Sequence, residues 1–229
     1  MWVVQKPLSG KYMQRYAALK ARQRAEREQH PESLALRVHR ALSWLNRAEQ
    51  CEDDDGRFIF LWISFNAAYS NELGDLKISE GKMFNEFLTR LVQLDTHKNL
   101  AGLIWQQYTG AIRALLDNHY IYQPYWNHLN QQEGYSDWQD SFNHAKQSAH
   151  KALANNDTGK VLTVIFNRLY TLRNQLVHGG STWNSSINRD QLRDANRIMG
   201  ALVPLVIEIM MDNAKEYWGE ACYPCIREQ

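Results

Sequence analysis

Along residues 160–177 the apolar side chains recur with the period of an α-helix. At about 100° per residue, Val161, Leu162, Ile165, Leu169, Leu172 and Leu176 fall within roughly a third of the circumference and form a core-facing stripe. A similar spacing runs through residues 32–50, where Leu36, His39, Ala41, Leu42, Leu45 and Ala48 alternate with basic residues. It returns in residues 188–218, with Ile198, Leu202, Leu205, Val206, Ile209 and Met210 facing inward. Residues 58–69 are apolar almost all round, as a central, buried helix must be. Residues 83–94, 100–116 and 138–154 read as further helices. No strand-period alternation of useful length, repeat or low-complexity tract interrupts them. Only 12 Gly and 5 Pro agree with long helices and few turns, and Pro204 should kink the last helix by removing an amide hydrogen. The fold expected is all-α, an antiparallel helical bundle with additional helices.

A chain of 229 residues that is 44% hydrophobic can bury a substantial core in one or two domains. The division expected is a basic arm or helix over residues 1–31, a helical domain over 32–218 and a tail over 219–229. The formal net charge of +1 gives no overall bias towards nucleic acid, membrane or acidic partners. Its distribution is uneven, since Lys6, Lys11, Arg15, Lys20, Arg22, Arg24 and Arg27 face only Glu26 and Glu28 within the first arm. Such a run supplies phosphate contacts in nucleic-acid-binding proteins, but more often it is a solvated helix. Arg24 and His30, just before Pro31, read as part of a mobile linker.

Trp2-Val3-Val4 is too short for a signal-peptide core. The longest apolar stretch, residues 199–211, contains Pro204 and Glu208 and falls short of the ~20 residues that span a bilayer. A cytoplasmic location is therefore expected. Three cysteines fit a reducing compartment. Cys222 and Cys225 form a lone Cys-x-x-Cys with Cys51 the only other thiol, too few ligands for a zinc site. The acidic run Glu52-Asp53-Asp54-Asp55 reads as helix capping rather than metal binding. No metal or cofactor is expected.

Gly179-Gly180 should end the helix of residues 160–177 with a left-handed cap. Away from its apolar stripe stand Asn167, Tyr170, Asn174 and His178, at i, i+3, i+7 and i+11, with Arg173 beside them. An arginine and a histidine can bracket a phosphodiester, one holding its charge and the other moving a proton. Spacing alone does not select this pair, because Arg24/His30, Arg90/His97 and Arg113/His119 are similarly spaced. Only Arg173/His178 combines a polar column with an adjacent amide, that of Asn174. The same histidine also suits a helix C-terminus, where the dipole favours its charged form by ~0.3–1 kcal/mol, so both readings stay open. Asn66, within the apolar helix, either reaches this polar column or pins two core helices together. The aromatic-rich segment 120–126, containing Pro124, reads as a packed connection, with base stacking as its alternative use.

Arg173-Asn174-x-x-x-His178, near the end of the penultimate helix, together with Phe65-Asn66-Ala67-Ala68-Tyr69 early in the chain, resembles the HEPN superfamily of small all-helical domains. The resemblance covers roughly residues 32–218. It implies a HEPN-like bundle and a metal-independent endoribonuclease whose composite site forms where two copies meet in a homodimer, often a toxin or antiviral effector. His178 is then general base or acid, Arg173 stabilises the phosphorane and Asn174 orients phosphate or imidazole, with Asn66, Asn167 and Tyr170 as possible site-lining residues. The tyrosine that follows the histidine by two residues in members silenced by a nucleotidyltransferase is Gly180 here, which puts that form of control in doubt. A regulatory protein or antitoxin is the partner expected besides RNA. The competing expectations are a non-catalytic HEPN-like module that binds a protein or nucleotide, and a structural scaffold in which a carboxylate occupies Arg173.

Overall fold

The helices of this chain form where its caps and apolar stripes agree. A computed structural model describes residues 14–70, 80–221 and 223, and among them there are α-helices and no strand. In chain order these are α1 (Tyr16–Glu26), α2 (Glu32–Glu49), α3 (Asp54–Tyr69), α4 (Glu80–Leu94), α5 (Asn99–Gly102), α6 (Thr109–Leu116), α7 (Gln123–Leu129), α8 (Trp138–Ala154), α9 (Thr158–Val177) and α10 (Arg189–Asp212). The fold is all-α, and no described helix is long and apolar enough to cross a membrane.

α3 and α10 lie at the centre. α3 packs on α2, α10 and α9, while α10 also touches α1, α2, α4 and α6; α9 is covered in turn by α4, α6 and α8. The middle of the core is aromatic. Phe65 and Phe166 have ring centroids 4.5 Å apart, Trp62 lies 6.1 Å from Tyr170, and Phe84 joins both groups. Each such side chain contributes about 1.5–3 kcal/mol by burial and a further ~0.5–1.5 kcal/mol per well-arranged ring pair. Side-chain bonds fix how the helices dock. Ser64 donates to the Ala41 carbonyl at 2.7 Å, Asn196 to the Asp54 carbonyl at 2.8 Å, and Arg189 grips Asp55 with two bonds of 2.7 and 2.8 Å.

The acidic run does cap a helix: the Asp53 carboxylate accepts the Gly56 amide at 2.7 Å, and Asp55 is taken by Arg189. Several expected elements differ. Residues 100–116 are not one helix, because residues 103–107 form a wider π turn and the Thr109 hydroxyl takes the carbonyls of Ile104 and Trp105 at 3.1 and 2.9 Å. The segment 120–126 is not merely a connection, since His119–Ile121 forms a 3-10 turn and α7 follows. The last helix stops at Asp212 instead of 218. Asn213 donates to the Ile209 carbonyl at 2.9 Å, and the chain folds back so that the buried Trp218 indole donates to the Asn213 carbonyl at 3.1 Å.

The part of the basic arm within the described residues is a docked helix. Arg15 pairs with Glu208 at 2.9 Å, and Arg22 pairs with Asp212 at 2.8 Å. His30 is no linker residue either, for its side chain is buried. Lys6, Lys11, Cys222 and Cys225 lie outside the described residues.

Candidate active site

α9 starts where Asp157 accepts the Lys160 amide at 3.0 Å, and it turns Val161, Leu162, Ile165, Phe166, Leu169 and Leu172 into the core. Its end is a Schellman cap. The Gly180 amide donates to the Gln175 carbonyl at 2.7 Å and the Gly179 amide to the Leu176 carbonyl at 3.2 Å. Gly179 has φ +69°, a conformation that strains any residue with a Cβ. A Cβ on Gly180 would stand 3.1 Å from the Gln175 carbonyl oxygen, so the close approach of this turn also favours glycine. His178 is thereby held as the C-cap residue with its side chain exposed. Its ring has no hydrogen bond or ion pair among the described residues. Three carbonyls of the last turn are satisfied by backbone amides, so the imidazole does not serve as their donor.

Arg173 is half-buried and projects on another side of α9. Nη1 donates to Asn174 Oδ1 at 2.8 Å, while Nε is buried without an acceptor. The guanidinium carbon lies 5.9 Å from the centre of the Tyr170 ring. No carboxylate pairs with Arg173 among the described residues, which removes the particular contact expected of a structural scaffold. Asn167 and His178 are exposed, and Asn174, between them in sequence, is partly buried. Tyr170 departs from the expected polar column because its ring packs against Trp62 and Phe84 at 6.1 and 6.0 Å. The local geometry therefore joins Arg173 to Asn174, whereas the helix separates Arg173 from His178 by about 140°.

Asn66 stands elsewhere. The ring pairs Phe65/Phe166 and Trp62/Tyr170 run in opposite chain directions, so α3 and α9 are antiparallel. Counting from Trp62 and Tyr170, Asn66 and Arg173 diverge by about 10 Å along the bundle at 1.5 Å per residue. Among the described residues, Asn66 Oδ1 is buried without a hydrogen-bond partner and makes no bond to Asn167, Asn174 or His178. The amide was recognisable in the sequence, but the antiparallel direction of the two helices was not.

The rival Arg/His pairs are used for packing. Arg90 pairs with Glu216 at 2.9 Å and lies 4.9 Å over the Trp218 ring. His119 lies among aromatic rings, 4.1 Å from Tyr120 and 4.9 Å from Tyr125. Three clefts, of about 220, 420 and 570 Å³, are lined by residues other than Arg173 and His178. The pair lies outside these clefts, and at the end of α9 and in the loop that follows it Val177, Trp183 and Ile187 are 50%, 75% and 82% exposed.

Two residues on α9 escaped the sequence reading. Gln175 Nε2 donates to the Tyr120 carbonyl at 2.6 Å, tying the aromatic segment to the turn that carries His178. Arg168 is 3% exposed and has its guanidinium 4.3 Å from the Tyr122 ring and 5.2 Å from Phe142. Burial pulls Arg168 down to about 10, with Tyr122 acting in the opposite direction. Its position at the edge of the apolar stripe was the available signal. Compared with family models, curated proteins and solved structures, the chain matches none.

Proposed function

We propose that this chain is a HEPN-like, metal-independent endoribonuclease acting as a homodimer, with Arg173 and His178 as its catalytic pair and Asn174 as an auxiliary. The observation that carries the reading is the presence, near one end of α9, of an exposed, uncommitted imidazole and of a guanidinium that no carboxylate among the described residues neutralises. The 2′-hydroxyl of RNA attacks the adjacent phosphorus; the new P–O2′ bond forms as the P–O5′ bond breaks. A 2′,3′-cyclic phosphate and a 5′-hydroxyl result. His178 takes the 2′ proton as base or supplies one to the departing 5′ oxygen as acid. Arg173 offers a donor fork to the charge gathering on the non-bridging oxygens, and Asn174 holds that fork by the bond from Nη1.

The wide angle between the two side chains supports a site completed by a second copy. Two-fold symmetry presents the same helix end twice, so Arg173 of one copy and His178 of another can address one phosphate. Ile187 and Trp183, the latter hydrogen-bonded to the Asp53 carboxylate, leave apolar surface exposed in the loop that follows α9. The same exposed patch favours the second reading, a non-catalytic HEPN-like module that docks a protein partner. A toxin or antiphage effector restrained by a regulatory protein is the cellular role proposed for the nuclease.

Incubation of the purified protein with total RNA in EDTA, followed by analysis of the new ends, separates the two readings. Cyclic phosphates made by wild type and absent with Arg173→Ala and His178→Ala are the expected result. RNA left equally intact by all three proteins would sink the nuclease reading and favour the docking module.

A further inference from the structure

We infer that Tyr120 is a stacking platform for an RNA base, placed on the His178 side of α9; this rests on the nuclease reading for its ligand. Tyr120 is 48% exposed although the next residue, Ile121, is buried. Its backbone is held from two directions. The Tyr120 carbonyl accepts Gln175 Nε2 at 2.6 Å and the Trp126 indole N–H at 2.7 Å, and its amide donates to Asn118 Oδ1 at 2.8 Å. The ring itself rests 4.1 Å from His119 and meets Tyr125 edge-on at 5.7 Å. A large aromatic side chain thus remains half open to solvent on a backbone anchored by three hydrogen bonds.

The position on α9 gives this exposure its use. Gln175 precedes His178 by three residues, which places their side chains about 60° apart on neighbouring turns. Arg173 lies on the opposite flank of the column, against Tyr170. The platform is therefore associated with the histidine, and the nucleotide that presents its 2′-hydroxyl or 5′ oxygen there is the one whose base can meet Tyr120. An unpaired base offers a π face to such a ring, whereas a base inside a duplex does not, so the ligand implied is single-stranded RNA. Stacking of this kind tolerates any base and favours purines only through their larger face.

The test uses full-length protein and a labelled single-stranded RNA twelve nucleotides long, with binding read by fluorescence anisotropy in EDTA in the His178→Ala background. Tyr120→Ala in that background should weaken binding about ten-fold, Tyr120→Trp should restore it, and both should retain the parental helical content and thermal midpoint. In otherwise wild-type protein, Tyr120→Ala should raise KM with little change in kcat. Equal binding by Ala, Trp and Tyr proteins would overturn the platform while leaving any Arg173- and His178-dependent cleavage intact. So would a loss with Ala that Trp fails to restore. A stacking effect on binding without cleavage by wild type would instead retain the platform and reject the nuclease. If wild type neither binds nor cuts RNA, both are rejected.

Discussion

At the scale of single residues, Arg173 and Arg168 make opposite demands on α9. Arg173 is half-buried with Nη1 on a neighbouring amide, so much of its charge is left for a ligand. Lysine would keep that charge but lose the planar fork and the bond to Asn174. Arg173→Lys should therefore lower cleavage by at least about ten-fold, and His178→Ala by about 100-fold or more, in line with the usual contribution of a general acid or base. The exposed His178 substitution should leave the thermal midpoint close to that of wild type; rates and melting curves on the same samples check both statements. Arg168 is instead sealed under Tyr122 and Phe142 with Nε lacking an acceptor. The ring faces return about 2 kcal/mol, less than the several kcal/mol that removal of a cation from water costs. Arg168→Met, similar in reach and free of charge, should raise the midpoint by about 2–4 °C per kcal/mol regained. A lower midpoint would mean that the ring contacts outweigh burial.

Among the elements, the end of α9 is the one on which the site depends. Gly179→Ala places a Cβ at φ +69°, at a cost of about 1 kcal/mol. The last turn is the cheapest part of the helix to release, so the variant should melt only about 2–4 °C lower while losing a larger share of cleavage. Equal cleavage at saturating RNA would show that the cap does not orient His178. This Gly-Gly cap was legible in the sequence, as were α2, α8 and α9, because capping and 3.6-residue periodicity are local. What depends on partners distant in sequence was not. Tyr170 was read as polar but lies against Trp62 and Phe84. The break in the helix expected over 100–116 is a local exception: residues 103–107 widen into a π turn, and the Thr109 hydroxyl donates to two carbonyls four and five residues back. Asn66 could be recognised as a buried amide, yet its distance from Arg173 follows from the antiparallel course of α3 and α9.

For the whole molecule, the decisive question is which chain supplies each half of a site. One copy shows Arg173 and His178 on sides of α9 about 140° apart, with Trp183 and Ile187 exposed in the loop that follows the helix. If a two-fold axis passes near this end, each site takes Arg173 from one copy and His178 from the other. Arg173→Ala and His178→Ala homodimers then have no intact site. After the two proteins are mixed and allowed to exchange subunits, each mixed dimer contains one intact pair and one doubly defective pair. Random exchange should restore about a quarter of the wild-type cleavage, since half of the dimers are mixed and each has one of two sites. Activity should rise with the exchange time and vanish if the subunits are cross-linked before mixing. No recovery, despite exchange verified by differently labelled subunits, would place both residues of a working site in one chain and would require α9 to bend or the RNA to span its two sides.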